Sequence, residues 1–287
     1  MAIALAQPTV DELGHVLAAQ AAMQVDGSPL QLHPGDLGWQ WRFGADAVAS
    51  AVRTWSRDGQ VLAVGYLDEP TVLRLTVDPG ALQDEELTRQ VAHDVSGDGS
   101  VLPPGRVVVE VTPDALLREV LTRAGWGPDE PWTQLRRDLT EPVPAVDLRV
   151  EVVGPDRVAD RTMVQRSAFE KSTFTDDRWH VMAGGPAYAD ARCLVGYDDA
   201  DRPVAAVTVW SAGEGRLGLL EPVGVHADAR GQGYGRTISV AAAAVLRELG
   251  ASAAQVCTPT ANEAATATYR SAGFVALGEV PDLAQDR

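Results

Sequence analysis

A single offset of 148 residues lays five positions of the first half of this chain on five of the second. Val77 falls on Val225, Asp114 on Asn262, Leu121 on Tyr269, Gly125 on Gly273 and Trp126 on Phe274. One such match is cheap, but an ordered set ending in Ala-Gly-Trp against Ala-Gly-Phe argues for a duplicated domain. The length of 287 residues suits two domains of roughly 150 residues each. Between them, 139–147 reads LTEPVPAVD, with two prolines and neither helical nor strand period. The expected division is therefore 1–140, a linker at 141–147, and 148–287.

The second half carries the clearer pattern. A strand is expected over 148–153, then a helix beginning near Pro155, then a polar stretch with aromatics, STFTDDRWHVMAGGPAY. The runs ARCLVGY and PVAAVTVWS read as strands about the turn sequence DDADR, and 216–226 as a strand inside a sheet. Ile238, Ala242, Val245 and Leu249 recur at helical steps up to Gly250, so 234–249 is a predicted helix. AQVC is a short strand, 262–272 a helix ended by Gly273, and 274–277 a last strand.

Arg230-Gly231-Gln232-Gly233-Tyr234-Gly235-Arg236 sits between that buried strand and that helix. Glycines there allow positive φ and close backbone approach, and the bare N–H groups of a helix start suit a diphosphate. Arg230 and Arg236 add positive charge. A dinucleotide fold wants G-x-G-x-x-G and an acid about 20 residues on, whereas the spacing here is G-x-G-x-G and the next acid is Glu248. A P-loop wants G-K-[ST], and the single lysine, Lys171, lies elsewhere.

The loop resembles the acyl-CoA loop of the GNAT superfamily of N-acetyltransferases, R/Q-x-x-G-x-G/A, at Arg230, Gly233 and Gly235. A second landmark of that family, N-x-x-A-x-x-x-Y-x-x-x-G-F, matches at Asn262, Ala265, Tyr269, Gly273 and Phe274. The resemblance covers roughly 148–280, and by the repeat 1–138 resembles a degenerate copy. It implies an α/β (α+β) fold of two tandem domains, each a mixed, mostly antiparallel twisted sheet flanked by helices.

The resemblance also implies a mechanism. Two central strands splay apart and the pantetheine of acetyl-CoA lies in the gap. Backbone N–H groups near Val223 and Val225 would hold it and polarise the thioester carbonyl. Residues 230–236 (Arg230, Gly231, Gln232, Gly233, Tyr234, Gly235, Arg236) would take the pyrophosphate, and Asn262 the pantetheine arm. Tyr269 is the candidate acid for the departing thiolate, and Glu221 the candidate base for the attacking amine. Glu221 stands four residues before Val225, where strand alternation would put both on one face. In the first half Leu73, Leu121 and Asp114 stand at the places of Glu221, Tyr269 and Asn262, so neither acyl-CoA binding nor catalysis is expected there.

The acceptor pocket is expected at 169–188, where Asp176, Asp177, Trp179 and His180 would suit a cationic amine through charge and an aromatic wall. Trp39, Trp41 and Trp55 read more readily as core residues than as a site. Composition narrows the partners further: 40 acidic against 24 basic side chains give a net charge of -16. That disfavours nucleic acid and anionic membranes and favours a small amine or a basic peptide as acceptor. Cys193 and Cys257 cannot form a disulfide scaffold, and the five histidines lack metal-ligand spacing, so no metal is expected. The start MAIALAQP lacks the pattern of a signal peptide and no window approaches the ~18 apolar residues of a membrane span. A soluble cytoplasmic protein is expected, and the near absence of lysine points to a GC-rich bacterial genome. The competing reading is a regulatory or scaffold protein that binds acyl-CoA without turning it over.

Overall fold

The computed structural model describes residues 2–97 and 99–287. From the N-terminus its elements are β1 (Ala4–Ala6), α1 (Leu13–Ala22), α2 (Pro34–Gln40), α3 (Ala45–Ala51), β2 (Val52–Arg57) and β3 (Gln60–Glu69). There follow β4 (Val72–Val77), α4 (Glu85–Ser96), β5 (Arg106–Glu110), α5 (Leu116–Arg123) and β6 (Gly127–Asp138). The second half supplies β7 (Arg149–Val152), α6 (Val158–Ala168), α7 (Asp176–Ala183), β8 (Ala191–Tyr197), β9 (Pro203–Ser211) and β10 (Leu217–Val225). Last come α8 (Tyr234–Glu248), β11 (Ala253–Pro259), α9 (Glu263–Ser271) and β12 (Val275–Asp286).

The offset of 148 recurs in these elements. It carries β4 onto the end of β10, α4 onto α8, β5 onto β11 and α5 onto α9. The sheets agree: one half runs β1-β2-β3-β4-β5 and the other β7-β8-β9-β10-β11, with β4–β5 and β10–β11 parallel and β1–β2, β2–β3, β3–β4, β7–β8, β8–β9 and β9–β10 antiparallel.

The packing departs from the expected boundaries. One unit comprises 1–33, 45–132 and 279–287, and the other 34–44 and 133–278. The later part of β6 lies beside β11 and belongs to the second unit, while the end of β12 pairs with β5, Leu283 opposite Val109, in the first. The expected last strand, 274–277, thus continues to Asp286. A strand's backbone groups must find a ladder partner, and each half closes its sheet with the other half's final strand. The expected linker, 141–147, has no helix or strand, but Val143 and Val146 pack on the core of the second unit.

In the second unit β8 and β9 are apolar on both faces because helices cover both. Leu194, Val207, Val209 and Leu220 meet Ile238, Ala242 and Leu246 of α8 on one side. Gly218 permits that approach, since a Cβ there would stand 2.6 Å from Leu246 Cδ2. The opposite face takes α6, through Val158, Arg161, Val164 and Gln165, and the inserted α2, whose Gly35 and Gly38 lie against the Trp210 ring. The first unit has a separate core about Trp55, Leu73, Leu75, Leu121 and Trp126. No helix among the described residues is long and apolar enough to cross a membrane.

Candidate active site

β10 and β11 pair only from Leu217–Ala253 to Leu219–Gln255. Beyond that point β10 continues to Val225 and β11 to Pro259 without pairing, so the sheet opens between them. A bulge between Leu220 and Val223 marks where β10 turns aside. On its other edge β10 stays with β9: Val225 lies opposite Ala205, and the His226 N–H donates to the Val204 carbonyl at 2.8 Å. In an antiparallel ladder hydrogen-bonding residues alternate. Gly224 therefore shares the orientation of His226, and the N–H and C=O groups of Val223 and Val225 turn away from β9, into the opening.

α8 begins beside Val225, because Gly235 stands against it: a Cβ there would lie 3.5 Å from Val225 Cγ2 and 3.0 Å from Thr268 Cγ2. The N-cap is Gly233 at φ 86°, in the left-handed region where a Cβ is costly, and Gly231 at φ 75° shares it. No side chain caps this helix. Its first N–H groups and the positive end of its dipole are presented bare to an anion.

The equivalent place in the first unit is closed twice over. Leu75 and Val77, which the offset sets on Val223 and Val225, also lie beyond the β4–β5 pairing, which ends at Arg74–Glu110, but there the Leu75 carbonyl accepts from the Leu32 N–H at 3.2 Å and the Val77 N–H donates to Gln31 Oε1 at 3.1 Å. α4 carries its own anion: the Asp84 carboxylate caps it by accepting from the Leu87 N–H at 2.9 Å and is gripped by Arg57 at 2.7 Å. Those bonds hold the Asp84 carboxyl at about 2, below its ordinary value.

Tyr269 lies on α9, buried to 8 % exposure against the α8 core. Burial, then the negative charge of Glu221, then Cys257, push its phenol above the ordinary value. It is therefore protonated throughout the neutral range and able to donate. Glu221 is half-buried and its carbonyl accepts from Trp210 Nε1 at 2.7 Å. It stands in the bulge, where Leu220 and Val223, three residues apart, both pack with the α8 core. The simple alternation expected to set Glu221 on Val225's face is broken there; its charge on Tyr269, not strand period, links it to the opening. Pro222 in an otherwise apolar strand was the available signal of that irregularity.

Asn262 is the N-cap of α9, its Oδ1 accepting from the Ala265 N–H at 3.2 Å, so a structural bond occupies that oxygen. Arg230 Nη2 donates to the Ala168 carbonyl at 2.9 Å and Arg236 Nε to the Ser271 carbonyl at 3.0 Å. Arg236 and Arg137 line a cavity of about 330 Å³ with Asp147 and Gly273. Gln232 and Tyr234 line another, of about 350 Å³, with Asp198, His226 and Asp228.

The polar stretch expected to shape the acceptor pocket contains a helix, α7, capped by Thr175, whose hydroxyl accepts from the Arg178 N–H. Asp176 and Asp177 are exposed in its first turn, where carboxylates favour the helix dipole. His180 is exposed, while Trp179 is buried at 5 %. The four residues thus do not share one environment, and only Trp179 faces the interior. Trp55 is a core residue, as expected; Trp39, half-buried, stacks on Phe174 at 5.3 Å between centroids.

Residues 160–274 match the acetyltransferase (GNAT) family, a span wholly inside the second unit. This segment thus resembles a GNAT acetyltransferase domain. Among solved structures, a GCN5-related N-acetyltransferase from Sphaerobacter thermophilus is 16% identical with a TM-score of 0.57, covering 99% of this chain and 95% of its own. A tandem GNAT protein from the clavulanic acid biosynthesis pathway is 15% identical, TM-score 0.60, with 99% and 98% covered. A GNAT-family acetyltransferase from Colwellia psychrerythraea is 13% identical, TM-score 0.61, with 99% of each chain covered. These likenesses are of fold. Comparison with curated protein sequences gives no match. The segment that matches this acetyltransferase family contains the opened strands, the bare start of α8, Tyr269 and Glu221.

Proposed function

We propose that this GNAT-like domain transfers an acetyl group from acetyl-CoA to an amine, by direct attack within a ternary complex. The observation that carries this reading is the end of β10–β11 pairing at Leu219, with the N–H groups of Val223 and Val225 left facing the opening. An extended pantetheine could take up those groups as a neighbouring strand would, and a donor aimed at the thioester oxygen stabilises the charge that forms there. The glycine-lined start of α8, Arg230 to Arg236, would take the pyrophosphate. The attacking amine is neutral, and Glu221 would accept the proton its nitrogen loses as it bonds to the carbonyl carbon. As the C–S bond breaks, Tyr269 would donate its proton to the leaving sulfur and regain one from solvent, to which Glu221 returns its own. The first unit, with Leu75 and Val77 held by Leu32 and Gln31 and α4 capped by Asp84, would neither bind the coenzyme nor catalyse.

The test is thiol release from acetyl-CoA against a broad amine panel, run beside Tyr269→Phe. Turnover that falls sharply in the variant supports the reading. Tight coenzyme binding with no thiol released by any amine would replace it with that of a binding protein, and unchanged turnover in Tyr269→Phe would remove that residue from the chemistry.

A further inference from the structure

Arg161 is buried completely beneath α6, at 0 % exposure. Its Nη1 donates to Gln165 Oε1 at 2.8 Å, but Nε and Nη2 meet no hydrogen-bond partner among the described residues. Burial pulls the guanidinium below its ordinary range, and what acts against this is the Cys193 thiol, by charge and a weak side-chain hydrogen bond, and then Tyr188, neither of them a carboxylate. The Phe174 ring lies 5.2 Å from its central carbon. A third donor in the same part of the unit is also unmatched: the buried indole Nε1 of Trp179, whose ring meets Tyr188 edge-on at 5.9 Å. Buried polar groups are paired in more than about nine cases of ten, and an unpaired buried charge is dearer still. Three such donors, two of them on a cation whose nearest counterweight is a thiol, would suit an acceptor that is negative.

The identity of the two guanidinium donors narrows its chemistry. Nε and Nη2 share one edge of the planar fork, the edge that holds both oxygens of a carboxylate side-on. The position narrows its role. Tyr188 meets Trp210 edge-on at 6.0 Å, and Trp210 donates to the Glu221 carbonyl at the bulge where the strands part. The end of the same α6 reaches that place too, with Ala168 and Phe169 against Gly224. An aromatic wall of Trp179, Tyr188 and Trp210 therefore runs from the buried cation to the candidate base.

We infer that the acceptor is an amine that also carries a carboxylate, an amino-acid-like zwitterion seated with its carboxylate on the Nε–Nη2 edge of Arg161 and its nitrogen toward Glu221. This rests on the acyl-transfer reading above and replaces the sequence-based expectation of a purely cationic amine held by Asp176 and Asp177. The acidic surface acts on how ligands arrive, and Arg161 on which one stays.

The experiment compares amino acids and ω-amino carboxylates, each beside its carboxamide, as acceptors in the thiol-release assay. The expected result is a KM at least about 30-fold lower for the carboxylate member of the productive pair, a gap of ~2 kcal/mol in the range of charged hydrogen bonds. Arg161→Met should close that gap while leaving the KM for acetyl-CoA unchanged, and Arg161→Lys should restore part of it. Because Arg161→Met removes a buried side chain, circular dichroism and acetyl-CoA calorimetry establish that it folds. Equal KM values for acid and amide in wild type would overturn the inference and leave acyl transfer standing. Should no amine release thiol at all, the acyl-transfer reading fails. The carboxylate seat is then read separately, from N-acetyl-amino acids that raise the Tm of wild type more than their amides do and leave that of Arg161→Met unmoved; no such difference would show that ordered water alone fills the site.

Discussion

Tyr269 and Glu221 were nameable from the sequence because a tyrosine at fixed distance from Asn262 and Gly273 is a local pattern. Their relation in space was not nameable, because it passes through a bulge whose extra residue appears only when β10 is laid beside β9. Tyr269→Phe keeps the ring and removes the proton, so kcat should fall roughly 100-fold, the lower range for general acid catalysis, with the KM for acetyl-CoA little changed in stopped-time assays. Arg161 illustrates the opposite limit. A charged residue in the apolar stripe Val158, Val164 reads as surface, and nothing local says otherwise; its burial is decided by the sheet beneath. Gly38 shows how small a residue-scale feature can be. A Cβ there would stand 2.4 Å from the Trp210 ring, so Gly38→Ala should cost about 1–3 kcal/mol in urea melts through overpacking. It should also lower turnover, because Trp210 braces Glu221.

Elements were legible where period and punctuation agree. α8 and α9 end at Gly250 and Gly273, both in the left-handed region, within a residue or two of the expected stops. α7 was missed because its buried side chains are only Trp179 and Met182, too few for a period, although Thr175 followed by two aspartates is a helix-start signal. The two equivalent helices α4 and α8 differ chiefly in their caps. Asp84→Ala should cost about 1 kcal/mol in chemical denaturation. Because the folded protein holds Asp84 at about 2, against 3.8 ordinarily, its contribution is complete above pH 4 and is lost as pH falls toward 2. Asp282 on β12 has the opposite sign. Burial, then Glu110, push it up to about 7 from 3.8, so the folded state binds its proton more tightly than the unfolded chain does. Stability should therefore decline as pH rises from 4 through 7, and Asp282→Asn should flatten that decline in melts at pH 5, 6 and 8.

At the scale of the whole chain the duplication was visible in five matched positions, and the sheets bear it out strand for strand. The sequence could not say which half supplies each closing strand, since pairing partners as distant as Val109 and Leu283 leave no local trace. Isothermal calorimetry should find one acetyl-CoA site per chain; two would show that Gln31 and Leu32 give up their hold on β4. Removing 279–287 should loosen the first unit, whose β5 loses its Leu283 neighbour, and native-state amide exchange should rise across β5 before it rises across β9. The exchange also bears on ancestry. A recombination event at the proline-rich stretch would give each descendant a terminal strand fitted to its sibling and would leave its own sheet with a raw edge, so after fusion the two copies could be inherited only together.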